Sequence, residues 1–279
     1  MKKILFIFIL LMPGFCLASV VLSSSTRTTR AKTKVDSVPL SSAVRHGAGG
    51  GYAADPWADY WTLDGSDYLT CANNSLLMPP TDGDIEIVIG FMRDSGSTWN
   101  ILIGKGNNAF GEKSYEMNIV GTDDRRGSCG FYKPGNSLLW SVTDTDVAYH
   151  SEKTTLGWVY HDDGTYIDMY MWGKQVGRTT TSDTYLDHPY VMYRGTGPHY
   201  FGAGPGALNP TQGRLYFIAV YQTGTLSEAI IESIMAGTTH PANLSPSFYV
   251  DFSQDVAASY LSEIGDVTLT VTGNPVKGP

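Results

Sequence analysis

The sequence predicts an all-β sandwich, and three observations carry that expectation. Residues 155–176, TLGWVYHDDGTYIDMYMWGKQV, read as strand, turn, strand, turn, strand. Two long apolar runs, DIEIVIGFM from Asp84 and RLYFIAVY from Arg214, suit central strands buried on both faces. Aromatics at 12%, with 17 Tyr and 31 Gly, fit a turn-rich β protein better than a helical one.

Each element follows from local pattern. WTLDGSDYLT from Trp61 reads as a strand broken by an Asp-Gly turn. DIEIVIGFM, NILIGKG and SYEMNIV follow, the last two separated by a polar loop, Asn107 to Lys113. SCGFYK and SLLWSV come next. In the following unit Trp158 and Tyr160 alternate with Gly157, Val159 and His161. Asp163-Gly164 then supplies the positive-φ dipeptide of a two-residue hairpin. Beyond it Tyr166, Asp168, Tyr170 and Trp172 share one face, Ile167, Met169 and Met171 the other, and Gly173 permits a second reversal. Thr196 to Pro210 is a Gly/Pro loop containing HYFGAG, and RLYFIAVY closes the sandwich. One helix is expected after it, with Leu226, Ile230, Ile231 and Ile234 on one face. Thr225 and Glu228 have capping-box spacing and Gly237 marks the stop. PSFYVDFS and VTLTVTG predict further edge strands.

The 279 residues leave room for one large β domain with flanks. Residues 1–18 have the form of a signal peptide: Lys2-Lys3, an apolar run from Ile4 to Leu11, and small residues Cys16 and Ala18 before the cleavage point. Export to the periplasm, cell surface or medium is expected, with no integral span in the mature chain. Phe15 before Cys16 argues against a lipid anchor, and the short Lys-Lys leader looks bacterial. Residues 19–58 are a flexible Ser/Thr/Gly-rich leader, 59–240 the sandwich, and 241–279 a C-terminal extension.

Cleavage removes Cys16 and leaves Cys71 and Cys129. An even count in an exported chain suggests one disulfide, and two unpaired thiols are the alternative. Residues 1–58 hold seven Lys/Arg and two Asp/Glu of the totals of 19 and 27, so the remainder is near −13. Such a body disfavours nucleic acid, whose phosphates need cationic partners.

In order and spacing, LDGSDYL, IEIVIGFM, ILIGKG, SYEMNI, the Trp158–Gly173 unit, FGAG, GRLYFIAVY and TLSEAII together resemble the LamG-like, concanavalin A-like lectin and glucanase jelly-roll family over about residues 59–240. The resemblance implies two curved antiparallel sheets and noncatalytic recognition of carbohydrate or extracellular matrix, with calcium common at one rim. The closing strand of many relatives starts Gly-aliphatic-Asp. Here Gly213-Arg214-Leu215 leads to Tyr216, which weakens the calcium expectation.

The fold that the resemblance implies also hosts polysaccharide-degrading enzymes, whose chemistry requires paired acids. Retaining glycosidases need two carboxylates about 5 Å apart. The E-x-D-x-x-E strand of the fold's glucanases has only Asp84-Ile85-Glu86 as a counterpart, and both acids are expected on the solvent side of the strand's start. A lyase set is not recognisable, Tyr193-Arg194 and His199-Tyr200 being the nearest approach. The six histidines are scattered, against a transition-metal site. Asp64, Asp67, Asp82 and Asp84 are oxygen-rich candidates for Ca2+, and turn formation alone is the alternative. Sugar rings pack on aromatic faces while their hydroxyls take polar partners. That points to Trp99, Asn100, Lys105, Asn107, Asn108, Tyr132, Trp140, Trp172 and Tyr200 as ligand-binding candidates, with core packing the alternative. Trp158, Phe91 and Phe217 are assigned to the core.

The expected function is noncatalytic binding of a glycan or a cell-surface ligand through a loop-rimmed concave sheet face. A glycoside hydrolase or lyase, and a structural or adhesion protein without a small ligand, are the alternatives.

Overall fold

The computed structural model describes residues 52, 55–80, 83–94, 99–107, 113–120, 126–133, 137–143, 152–160, 166–171, 174–180 and 194–278. The expected signal peptide, most of the leader, and the turns at Asp163-Gly164 and Gly173 lie outside them. In chain order the strands are β1 (Trp61–Asp64), β2 (Tyr68–Cys71), β3 (Ile85–Arg93), β4 (Trp99–Lys105), β5 (Tyr115–Val120), β6 (Arg126–Lys133), β7 (Ser137–Thr143) and β8 (Lys153–Tyr160). They continue with β9 (Tyr166–Met171), β10 (Lys174–Thr180), β11 (His199–Phe201), β12 (Gln212–Tyr221), β13 (Phe248–Asp251), β14 (Ser259–Leu261), β15 (Thr268–Thr272) and β16 (Val276–Lys277). Helix α1 (Glu228–Met235) follows β12.

These strands form two antiparallel sheets. The first has the order β10-β9-β8-β3-β12-β1-β16, with β13 also on β12. The second has the order β14-β15-β2-β11-β4-β5-β6-β7. WTLDGSDYLT therefore does not fold back on itself. β1 belongs to the first sheet and β2 to the second, and the chain crosses at Gly65, whose φ of +91° suits glycine. Tyr160 pairs with Ile167, and Met171 with Lys174, so the expected three-strand unit is present.

Alternate side chains of both sheets meet in the middle. Trp61, Ile87, Ile89, Phe91, Trp158, Leu215 and Ile218 come from the first sheet, and Leu69, Ile103, Tyr115, Met117, Phe201 and Leu269 from the second. The outer face of the first sheet is also apolar. Val88, Val159, Tyr216, Phe217, Ala219 and Tyr221 are sealed there beneath Ile231 and Ile234 of α1 and Trp57. Double coverage explains why all of β3 is buried and why its sequence is continuously apolar. Trp158, Phe91 and Phe217 are core residues, as expected.

Three local readings are corrected. Glu86 is not at the solvent side: it is 1% exposed, and its carboxylate accepts the N–H groups of Thr225 and Leu226 at the entrance to α1. The helix is capped by Ser227, whose side chain accepts Ile230 N–H, and not by Thr225. Gly237, at φ +69°, ends the helix as expected. Cys71 and Cys129 do not pair. Three strands separate β2 from β6 in the sheet order. Four strand spacings amount to about 19 Å, whereas a disulfide needs Cα atoms within about 7 Å. Both thiols are buried and neither is in a disulfide, and burial pushes Cys71 up to about 12. Neither is expected to react with iodoacetamide in the native protein, and both should react after unfolding. Native labelling followed by mass spectrometry checks this.

Candidate functional site

The outer face of the second sheet differs from that of the first. Leu69, Cys71, Phe201 and Leu269 turn into the core, so alternation sends Tyr68, Thr70, Tyr200, Thr268, Thr270 and Thr272 outward. The first three are half-buried and the three threonines exposed. The Tyr68 and Tyr200 rings lie 6.2 Å apart at 45°, as diagonal neighbours on adjacent strands can. The tyrosine pair forms an accessible aromatic floor among hydroxyl groups.

A loop walls one side of this floor. Gly104 stands opposite Tyr200 in the register. A Cβ on Gly104 would meet Pro205 Cδ at 2.6 Å and Gly204 Cα at 3.2 Å. The loop turns back on itself through paired backbone bonds between Gly204 and Leu208. Ala207 and Asn209 hold φ values of +58° and +44° in it, and Leu208 is 38% exposed at its tip.

Beyond the wall the same face carries a buried polar group. Tyr132 donates its O–H to Glu116, and Lys113 lies 3.5 Å from that carboxylate and 5.0 Å from the Tyr132 ring centre. Burial, then the Glu116 charge, drives the Tyr132 hydroxyl far above its usual range. Asn118 is buried on the same strand as Glu116, its Oδ1 without a hydrogen-bond partner among the described residues.

A second polar cluster caps one end of the core. Lys105 is fully buried and donates to Asn73 Oδ1 at 2.7 Å and Gly197 O at 2.8 Å. His199 Nε2 accepts Asn74 N–H at 3.4 Å. Its Nδ1–H then serves Tyr115 Oη at 3.2 Å, and Tyr115 donates to Leu77 O at 3.1 Å. Burial, then the Lys105 charge, holds His199 well below its usual range, so it is neutral. Beside this cluster a cleft of about 360 Å³ lies between residues 73–80, Arg194 and Gln222. Arg194 donates to Pro79 O and Pro80 O, and Gln222 to Ser75 O and Met78 O, which braces that segment.

The sequence candidates therefore separate. Tyr200 is on the accessible floor. Asn100 is buried and accepts Gln212 N–H at 2.8 Å. Lys105 and Tyr132 are buried as described, and Asn107 is half-buried next to the Lys105 end. Trp99 and Trp140 lie on β4 and β7, their side chains outside the described residues, as are Asn108 and Trp172 altogether. Arg194, His199 and Tyr200 are not brought together: Arg194 holds carbonyls, His199 faces the core and Tyr200 faces out. Tyr193 lies outside the described residues.

Of the calcium candidates, exposed Asp64 accepts Ser66 N–H and O–H at 2.8 and 2.7 Å, which lowers its pKa. Buried Asp67 gives one oxygen to Asp64 N–H and the other to Asn274 N–H. Both carboxylates brace turns, and no group of three metal-ligating side chains occurs among the described residues. This pair does not fit a calcium cage. Asp84 is half-buried, and Asp82 is outside the described residues.

One buried acid sets a pH dependence. Glu263 accepts Tyr260 O–H at 2.5 Å, Gln254 Nε2–H at 3.1 Å and Asp251 N–H at 3.0 Å. Burial, then the Asp251 charge, raises its pKa from 4.5 to about 8. The folded chain thus keeps a proton that the unfolded chain has already released. This contribution to stability is complete below 4.5 and is lost as pH rises to about 8. Thermal melts should show that decline, flattened in Glu263→Gln. An equal decline in the variant would assign it to other groups.

No protein-family model and no curated protein matches the chain. Solved structures do. A protein from Bacteroides ovatus classed as carbohydrate binding superimposes with a TM-score of 0.55 at 11% identity. The match covers 79% of this chain and 59% of that one, so the chain spans little more than half of that relative. A heptameric SAP-like pentraxin from Limulus polyphemus gives 0.54 at 9% identity, over 80% of this chain and 96% of that one. The fold is a concanavalin A-like jelly roll. At these identities the likeness is one of fold, and the LamG-like resemblance stands at that level.

Sequence reasoning missed Tyr68, Thr70 and the β15 threonines. The signal was present in VTLTVTG, where threonine alternates with Leu269 and Val271, but edge strands were read there without a ligand face.

Proposed function

We propose that this is an exported, noncatalytic protein that binds carbohydrate on the outer face of its second sheet. The carrying observation is the accessible Tyr68–Tyr200 floor among exposed threonines, on a sheet whose opposite number is sealed by apolar residues and α1. Tyrosine rings offer stacking area to sugar C–H faces, and hydroxyls donate and accept. The likeness to a carbohydrate-binding fold supports this reading. Binding of the purified protein to a broad glycan array, with calcium and with EDTA, tests it. Binding to one sugar class, unchanged by EDTA, is expected. Absence of binding in both buffers would transfer weight to a structural or adhesion role.

A further inference from the structure

Four hydroxyl side chains form one straight row across the outer face of the second sheet. The register sets Ser259 against Thr270, Thr270 against Thr70, and Thr70 against Tyr200. Their chain neighbours Tyr260, Leu269, Leu69 and Phe201 all point into the core, which puts the four hydroxyls on the opposite side. Strands repeat at about 4.8 Å, so the row presents one hydroxyl per strand over about 14 Å. That repeat is close to the rise per sugar of an extended pyranose chain.

The row has unlike ends. Among the described residues β14, which carries exposed Ser259, ends the sheet order, so the row opens there. At the far end Gly104 follows Tyr200 and lies under Pro205, which closes it. Tyr68 flanks the closed end, its ring beside that of Tyr200.

Charge narrows the ligand further. No side chain of the row is charged, and each hydroxyl can both donate and accept, as sugar hydroxyls require. The exposed carboxylate of Asp266 lies in the chain just before β15, and that of Asp64 ends β1, ahead of the crossing to β2. With a body near −13, an acidic sugar meets repulsion there.

We infer that the ligand is a neutral, extended pyranose chain lying along this row, perpendicular to the strands, with its end against the Gly204–Asn209 loop. The inference rests on the carbohydrate-binding reading and specifies its ligand class and pose.

The test is calorimetric titration of the full chain with cello-, manno- and xylo-oligosaccharides of increasing length, and with polygalacturonate and sialyllactose. One neutral series should gain affinity up to about four units, one for each strand of the row, and then level off. Tyr200→Ala should weaken binding about tenfold, and the surface change Thr270→Val about fivefold. Circular dichroism and melting curves confirm that both variants are folded. Preference for the acidic sugars, a monosaccharide as good as a tetrasaccharide, or full affinity in both variants would overturn the row and leave carbohydrate binding standing. No binding to any sugar would overturn both.

Discussion

Replacing Glu86 by leucine is expected to destabilise the protein by about 2 kcal/mol, because two half-buried backbone N–H groups lose their carboxylate acceptor. Thr225 N–H meets Oε2 at 2.6 Å, and Leu226 N–H reaches both oxygens at 3.1 Å. Those bonds fix the entry of α1, whose Ile231 packs over the β8 backbone at Gly157. Leucine has similar volume but no acceptor, so the loss would fall on the hydrogen bonds rather than on packing. Glu86→Gln keeps one acceptor oxygen and should cost about 1 kcal/mol. Urea midpoints at constant m-value measure both. Equal losses in the two variants would show that charge or shape, not the acceptor, matters at this position.

Gly104→Val should cost about 2–3 kcal/mol, since a side chain there overlaps a loop held by its own turns. Pro205 Cδ already lies 2.6 Å from the place of a Cβ, and Pro205 N lies at 3.1 Å. Backbone atoms make up part of the obstacle, so the relief route is displacement of residues 204–209. Two readouts follow. The melting temperature should fall, and the wall beside Tyr200 should move, so that any length limit on a bound oligosaccharide disappears. A variant of unchanged stability would mean that the loop yields freely.

Much of the fold was legible because local pattern and final burial agree. DIEIVIGFM and RLYFIAVY are continuously apolar because α1 and Trp57 cover the outside of β3 and β12 while the second sheet covers the inside. Pairing was less legible. LDGSDYL reads as a strand broken by an Asp-Gly turn, yet Asp67 and Gly65 make a crossing between sheets, a choice made by partners about 130 to 150 residues away, at His199 and Leu215. The cysteine count suggested a bond that the strand order forbids. Glu86 was misread because a carboxylate at a strand's start is ordinarily solvated, and nothing local announces a helix entrance 140 residues later. Single polar residues were legible by type and not by face: Lys105, Asn100 and Tyr132 serve buried bonds, whereas Tyr200 stands outside.

The last strands bear on how the chain reaches this state. β16 closes on β1 through Trp61 and Lys277, and β15 on β2 through Tyr68 and Thr272. Neither sheet is complete until more than two hundred residues have followed its first strand. During synthesis, β1 and β2 must wait with unpaired edges, and both sheets can be completed only once β15 and β16 have left the ribosome. A nascent chain halted short of β15 should therefore remain sensitive to protease and open to chaperones, however much of its sequence has already been made.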